Sequence, residues 1–115
     1  MRIISNKEFE EQSIYVSEHA CQRWSQRVNR RQRCREIKQY IRECAKKGKL
    51  EHEWDNYYIL DNDIVITAKQ LNSGKILIIT TFGRRSDSPC LNNLPEFVRM
   101  KNKYGKMLSS SKKHI

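Results

Sequence analysis

Apolar residues between Ser17 and Val28 recur at helical spacing. Ala20, Trp24 and Val28 stand at i, i+4 and i+8, which places them in one stripe along a helix. Ser17 is a favourable N-cap residue, and Glu18 adds a negative charge at the positive end of the helix dipole. The pattern therefore predicts a helix that is anchored in the core through its tryptophan.

A polar line with the same spacing runs beside this apolar stripe. His19, Arg23 and Arg27 repeat every four residues, so that one imidazole and two guanidiniums lie on successive turns. Such a line can bind a phosphate and move a proton beside it. The alternative is an ordinary solvated face, because many surface helices carry arginines and a histidine.

Residues 32–47 carry a second helical pattern. Its apolar residues stand at i, i+3, i+4 and i+7, namely Ile37, Tyr40, Ile41 and Cys44. Gly48 follows at the position where a C-cap glycine is expected. Together with the first helix, this segment predicts an αα-hairpin with one apolar seam.

The period changes after Leu50 to alternation and to continuous β-rich runs. Strands separated by turn residues are predicted at 50–54, 54–60, 64–70 and 75–82. The connections are too short for crossovers, so these strands are expected to pair antiparallel. Ile14–Val16 is interpreted as a short extended lead-in to the first long helix.

Signals at the two ends complete the predicted α+β fold. A capping box predicts a short helix at 6–12, and Pro95 can start a last helix that ends near Leu108. The fold class is an N-terminal helical hairpin packed on a three- to four-stranded antiparallel sheet, plus a C-terminal helix. Residues 1–108 are predicted to form a single domain, and 109–115 a disordered tail.

The net charge of +10 at pH 7 predicts a polyanionic partner, with nucleic acid favoured over a membrane surface. The positive excess lies in residues 17–49 and 84–115, and the segment 50–75 between them is mildly acidic. Four arginines crowd the loop after the first long helix, and we expect them to contact phosphates: Arg30, Arg31, Arg33 and Arg35.

The four cysteines show no C-x-x-C spacing. No signal peptide opens the chain and no apolar run reaches the length of a membrane span, so a reduced, cytoplasmic protein without a membrane partner is predicted. A metal site on His19 and Cys21 is disfavoured, because residues two apart diverge on a helix. Neither a metal nor another cofactor is expected.

The chain resembles a family of small bacterial and phage domains of unknown function, through the motif His-Ala-x-x-Arg-x-x-x-Arg, here His19, Ala20, Arg23 and Arg27. That family is grouped with the RelE, barnase and colicin-type ribonucleases, known as the BECR fold. The resemblance covers roughly residues 14–85. It implies a metal-independent RNA-cleaving fold of the kind found in toxins and phage effectors. The arginine-rich loop and residues 86–115 depart from the family pattern, and the latter suggest a partner-binding addition.

Metal-free RNA cleavage needs an acid, a base and cations that stabilise the charge on the phosphorane. His19 is the candidate acid or base, with Arg23 and Arg27 as phosphate ligands. Thr81 and Arg84 on the last strand are predicted to complete the site. Arg85 is expected to extend the nucleic-acid surface.

A non-catalytic function stays open as an alternative. The sequence offers one histidine for two proton-transfer roles, the general acid and the general base. The basic domain can instead act by binding nucleic acid or a host enzyme. An antitoxin or a host protein is then the expected protein partner. Cleavage of RNA in the presence of EDTA distinguishes the two functions.

Overall fold

Helices flank both faces of one mixed β-sheet in the computed structural model, which describes the backbone of residues 2–113 and the side chains of residues 2–103. The helices within this range are α1 (Asn6–Glu11), α2 (Glu18–Arg27), α3 (Cys34–Lys46) and α4 (Leu94–Lys113). The strands are β1 (Ile14–Val16), β2 (Leu50–Trp54), β3 (Tyr57–Leu60), β4 (Ile64–Gln70) and β5 (Ile76–Arg84), and a 3₁₀ turn spans Pro89–Asn92. The predicted α+β class is confirmed.

The sheet has the strand order β1-β5-β4-β3-β2. Strands β2 to β5 pair antiparallel, as predicted. Strand β1 instead lies parallel to β5, with Ile14 opposite Ile76 and Val16 opposite Ile78. The prediction of a three- to four-stranded antiparallel sheet was therefore wrong in this respect. A segment of three residues carries too little pattern to reveal that it pairs with a strand far along the chain.

The predicted αα-hairpin was also wrong. Helix α2 lies along β5, whereas α3 packs mainly on α1. The two helices still meet at the Trp24 and Tyr40 rings, whose centroids are 5.5 Å apart. The edge of β5 beyond the short β1 is open to α2, and α2 packs there rather than along α3.

The N-termini of α1 and α2 are capped as predicted. The Ser5 hydroxyl accepts from the Glu8 N–H, and the Glu8 carboxylate accepts from the Ser5 N–H, both at 3.2 Å. The Ser17 hydroxyl accepts from the Ala20 N–H at 2.9 Å and donates to the Ile79 carbonyl at 2.8 Å. The N-cap of α2 therefore also fixes the start of this helix on β5.

The main core lies between the sheet and helices α1, α2 and α3. Trp24 is completely buried there, and it packs with residues that alternate along the strands, such as Ile64 and Ile66 on β4. The intervening β4 residue, Val65, points to the opposite face. Each face of the sheet therefore has its own apolar cluster.

The second core is built by the segment that follows β5. Leu91 and Leu94 are buried against Tyr57, Ile59 and Val65 on the face opposite α2. Phe97 adds an edge-to-face contact with Phe82, whose ring centroid is 5.6 Å away. The C-terminal segment therefore covers the sheet in the described residues.

The predicted last helix exists, with α4 spanning Leu94–Lys113. The tail predicted over 109–115 lies outside the described residues in its side chains, and at 114–115 also in its backbone.

Candidate functional site

The open edge of β5 is the structural basis of the site. Strand β1 pairs only with Ile76–Ile78, so the second half of β5 has carbonyl groups without a strand neighbour on that side. Two side chains from α2 and its cap donate to them: Ser17 to the Ile79 carbonyl, and Arg27 Nη1 to the Thr81 carbonyl at 3.0 Å. Helix α2 therefore covers the edge through hydrogen bonds as well as apolar contacts.

Arg27 is held along its whole length. A Cβ atom placed on Gly83 would lie 3.4 Å from the Arg27 Cβ, and Gly83 itself has a φ of +121°. The 3.4 Å separation is an ordinary van der Waals contact, so it is the positive φ that favours glycine at position 83. Burial, and secondly the charge of Arg23, lower the pKa of the Arg27 guanidinium from its ordinary value. The predicted phosphate ligand is thus already engaged with the backbone of β5.

A groove of about 1510 Å³ opens between α2 and the C-terminal segment. We call it the α2–α4 groove. Helix α2 contributes His19, Arg23, Gln26 and Arg27; β5 contributes Thr80, Phe82, Gly83 and Arg84; and the far side is formed by residues 87–93, Glu96, Phe97 and 100–102. Drug-sized pockets measure about 300–1,000 Å³, so this groove has room for an extended ligand.

His19 and Arg23 are the titratable α2 residues of this groove whose side chains form no hydrogen bond with the backbone of the described residues. The His19 side chain is exposed on the first turn of α2. Arg23 is half-buried, and its Nη1 donates to the Gln26 Oε1 at 2.9 Å. Neither has an ion-pair partner among residues 2–103. Both are therefore able to bind an anionic ligand.

Thr81 lies outside the groove. Its side chain is 0 % exposed, and its hydroxyl donates to the Ala20 carbonyl of α2 at 3.0 Å. The neighbouring Thr80 lines the groove instead. The predicted role of Thr81 in the site is not supported, because its hydroxyl is enclosed between β5 and α2.

Arg84 lines the groove, but its charge is paired. Its Nη1 lies 3.1 Å from the Asp63 Oδ2, and the same carboxylate accepts from the Ser86 N–H at 3.0 Å and from the Ser86 hydroxyl at 3.2 Å. Burial alone would raise the pKa of Asp63, but the hydrogen bonds from Ser86 and Arg84 outweigh it, and the pKa lies below its ordinary value of 3.8. Arg84 therefore fixes the end of β5 and contributes less to the field of the groove.

Arg85 points away from the groove. Its Nη2 forms an ion pair with the Glu53 Oε1 at 3.0 Å, and its Nε donates to the Leu91 carbonyl at 3.3 Å. The side chain is only 16 % exposed. Arg85 thus ties the C-terminal segment to β2, an arrangement that leaves little of its charge for the predicted nucleic-acid surface.

The arginine-rich loop matches the predicted exposure. All four of the predicted phosphate-binding residues are exposed, and none has an ion pair within residues 2–103: Arg30, Arg31 and Arg33 in the loop, and Arg35 in the first turn of α3. The loop is nevertheless ordered by hydrogen bonds, from the Trp24 indole N–H to Gln32 Oε1 at 2.8 Å and from the Arg31 N–H to Asn29 Oδ1 at 2.9 Å. The loop follows directly on the end of α2 and adds exposed positive charge beyond the residues that line the groove.

Sequence reasoning missed the residues that the C-terminal segment brings to the groove. Asp87 is an exposed carboxylate there, and Lys101 lies with its Nζ 5.1 Å from the centre of the Phe82 ring. Phe82 and Phe97 supply half-buried aromatic surface. The apolar spacing of Leu91, Leu94 and Phe97 was the one signal that this segment folds onto the sheet.

Unpaired cations outnumber unpaired carboxylates among the groove residues that the structure describes. The Glu96 carboxylate forms an ion pair with Arg99, whose Nη2 lies 2.6 Å from the Glu96 Oε1. Arg23 and Lys101 have no carboxylate partner among the described residues. No three His, Cys, Asp or Glu side chains converge as a metal-binding group in the described part of the chain. The arrangement can bind a polyanion and offers His19 for proton transfer.

Within the described residues, no helix is long and apolar enough to cross a membrane. No family model matches the chain, and no curated protein or solved structure is significantly similar to it.

Proposed function

We propose that the protein binds RNA in the α2–α4 groove and cleaves it without a metal ion, by attack of a ribose 2′-OH on the adjacent phosphate. The observation that carries the proposal is that His19 and Arg23 line one groove, free of any ion pair among the described residues. The resemblance of the α2 motif to the BECR ribonucleases points to the same chemistry. The protein is accordingly proposed to be a toxin- or phage-effector-like endoribonuclease.

His19 is the proposed proton-transfer residue. Imidazole changes its charge near neutral pH, so it can accept the 2′-OH proton or protonate the departing 5′-oxygen. Asp87 lines the same groove and is the proposed second group, a carboxylate that supplies the role left open by His19. With Asp87, the proposed site has two proton-transfer groups, one for each role.

Arg23 is the proposed ligand of the scissile phosphate. Its guanidinium can donate two parallel hydrogen bonds to phosphate oxygens and stabilise the charge that develops on them. Arg27 has a supporting role, since its Nη1 already donates to the Thr81 carbonyl. Arg84 is proposed to position the end of β5 rather than to touch substrate, because Asp63 holds it.

The aromatic surface of the groove favours single-stranded RNA. Phe82 and Phe97 line it and are half-buried, and an apolar ring such as that of Phe97 can stack on a nucleobase. The Phe82 ring is already contacted by Tyr57 and Lys101. A duplex keeps its bases inside the helix and cannot use these rings. The exposed arginines of the arginine-rich loop, which spans residues 28–33 between α2 and α3, are proposed to bind phosphates of the RNA backbone beyond the groove.

A second candidate function is RNA binding without cleavage. Three of the five predicted catalytic residues form hydrogen bonds or ion pairs within the protein: Arg27, Thr81 and Arg84. Only His19 and Arg23 then remain for catalysis, and this favours binding without cleavage. In that case the protein acts by occupying its target, as a regulator of nucleic acid or of a host enzyme bound to it.

A cleavage assay on a labelled single-stranded RNA in EDTA tests the proposal. We expect products with 2′,3′-cyclic phosphate ends, and no cleavage at a position whose ribose is replaced by 2′-deoxyribose. His19→Ala should bind the RNA equally and lower the cleavage rate by about 10²–10⁴-fold, the usual contribution of a general acid or base. His52→Ala is the matched control, because His52 lies on β2 outside the groove and contacts the Asp55 carbonyl.

The outcomes separate the two functions. Equal cleavage by wild type and His19→Ala would show that His19 takes no part in the reaction. Binding without cleavage by the wild type would establish the second candidate. Failure to bind RNA at micromolar protein concentration would contradict both.

A further inference from the structure

Two cysteines that are distant in sequence lie in contact. The Sγ atoms of Cys21 and Cys34 are 3.0 Å apart, and both residues are half-buried free thiols. The other two cysteines are placed differently, with Cys44 buried and Cys90 exposed. The C-x-x-C spacing typical of redox pairs is absent, so only the packing of α2 against the start of α3 reveals this pair.

The two sulfurs lie at the base of the arginine-rich loop. Cys21 is on α2, and Cys34 is the first residue of α3, so the chain between them holds the end of α2 and the whole 28–33 loop. The hydrogen bond from Trp24 to Gln32 already fixes the loop close to α2. A covalent bond at this point would close a ring that contains three of the exposed arginines.

We propose that Cys21 and Cys34 form a site of reversible oxidation, at which a small-molecule disulfide converts the dithiol into an intramolecular disulfide that locks the 28–33 loop. The geometry is close to that of the product. A disulfide has an S–S length near 2 Å, so the sulfurs need to approach by only about 1 Å. This site is independent of the proposed activity in the α2–α4 groove.

The reaction is a thiol–disulfide exchange. One cysteine thiolate attacks a sulfur of the small disulfide, forming a mixed disulfide and releasing one small thiolate. The second cysteine then loses its proton and displaces the other small thiolate, which forms the Cys21–Cys34 bond. Two protein thiols are oxidised, and one small disulfide is reduced to two thiols.

The local environment favours the reduced form of the pair, with two thiols, when no oxidant is present. The hydrogen bond with Cys34, and secondly burial, raise the pKa of Cys21 to about 11. A raised pKa keeps this sulfur as a thiol, which is less nucleophilic than a thiolate. The 3.0 Å contact places the resolving sulfur directly beside the one that reacts first.

Oxidation of the full-length protein by mixtures of reduced and oxidised glutathione tests the proposal. A Cys90→Ser background removes the exposed thiol, which would form mixed disulfides of its own. Digestion after glutamate releases residues 19–36 as one peptide that contains both cysteines. We expect this peptide to lose two hydrogen atoms on oxidation, to resist alkylation, and to regain both thiols when dithiothreitol is added.

Thermal unfolding gives a second readout. A disulfide that closes a ring of this size should raise Tm by roughly 5–10 °C over the reduced protein. Cys21→Ser and Cys34→Ser should each show no rise under the same oxidation. Glutathione adducts on Cys21 or Cys34 without a bond between them would overturn the proposal. So would two free thiols after treatment with oxidised glutathione alone.

Discussion

Arg23 and Arg27 lie one turn apart on α2 and have different partners. Arg27 donates to the Thr81 carbonyl and packs across Gly83, whereas Arg23 donates to the Gln26 amide within its own helix. The two arginines therefore have separate roles, although they continue the same four-residue spacing along α2. One covers the edge of a strand and the other is available to a ligand.

Replacing each arginine by glutamine separates these roles. Arg23→Gln should weaken RNA binding about fivefold, corresponding to about 1 kcal/mol for a charge-assisted hydrogen bond, and leave Tm unchanged. Arg27→Gln should lower the free energy of unfolding by about 1 kcal/mol, because the Thr81 carbonyl loses its donor. Filter binding and thermal unfolding check the pair, and an equal loss of stability in both variants would contradict the assignment.

The two adjacent threonines on β5 differ in the same way. Thr81→Val should cost about 1 kcal/mol in the free energy of unfolding, because its hydroxyl is the buried donor to Ala20. Thr80→Val, on the groove side, should change stability by less than about 0.5 kcal/mol. Urea denaturation measures both values. Loss of RNA cleavage by folded Thr81→Val would restore Thr81 to the catalytic site.

The enclosed position of Thr81 has a physical reason. Strand β5 contains two bulges, since the register with β4 leaves Ile79 and Phe82 without a partner. Each bulge shifts the alternation of inward and outward side chains by one residue. Counting in twos along the sequence therefore assigns Thr80 and Thr81 to the wrong faces, until the second bulge restores the alternation at Gly83. The helical spacing of His19 and Arg23 has no such interruption, and both residues line the groove.

Elements with local signals were predicted well, and those that depend on distant partners were not. The caps at Ser5 and Ser17 and the C-cap position of Gly48 follow from neighbouring residues. The pairing of β1 with β5, and of α2 with the edge of β5, depends on segments far along the chain. The groove also depends on a distant segment, because its far side is formed by the C-terminal segment that folds back onto the sheet.

The turn between β5 and the C-terminal segment is fixed by the Asp63 carboxylate. Because its pKa is lowered in the folded protein, Asp63 stabilises the fold above its unfolded value of 3.8, and this contribution is lost as pH falls through the lower folded value. Asp63→Asn should therefore be less stable than wild type at pH 6, and the two should converge toward pH 3. Chemical denaturation across this range measures the difference, and a constant gap would show that Asp63 does not titrate in this way.

At the scale of the whole molecule, the net charge of +10 is distributed between the helical layer and the C-terminal segment. The cationic residues of α2 lie along one side of the groove, and Lys101 lies on the other; the arginine-rich loop follows α2 directly. Long-range attraction then concentrates a polyanion at this site.

Replacement of the four arginines between residues 30 and 35 by glutamine tests this footprint. In the variant with Arg30, Arg31, Arg33 and Arg35 all changed, the slope of log affinity against log salt should become shallower by about 0.7 for each phosphate that the loop no longer neutralises. The control changes Lys46 and Lys47 to glutamine, at the far end of α3. An unchanged slope in the loop variant would exclude the loop from the RNA interface.

The parallel pairing of β1 with β5 also constrains the order of folding. Residues 14–16 lie against residues 76–78, and the N-cap of α2 is fixed to the carbonyl of residue 79. During synthesis, the N-terminal segment emerges long before its partner strand and cannot reach its final position until β5 has left the ribosome. Pairings of such sequence separation slow folding, so a truncation before residue 76 should leave β1 and α2 without their native packing on β5.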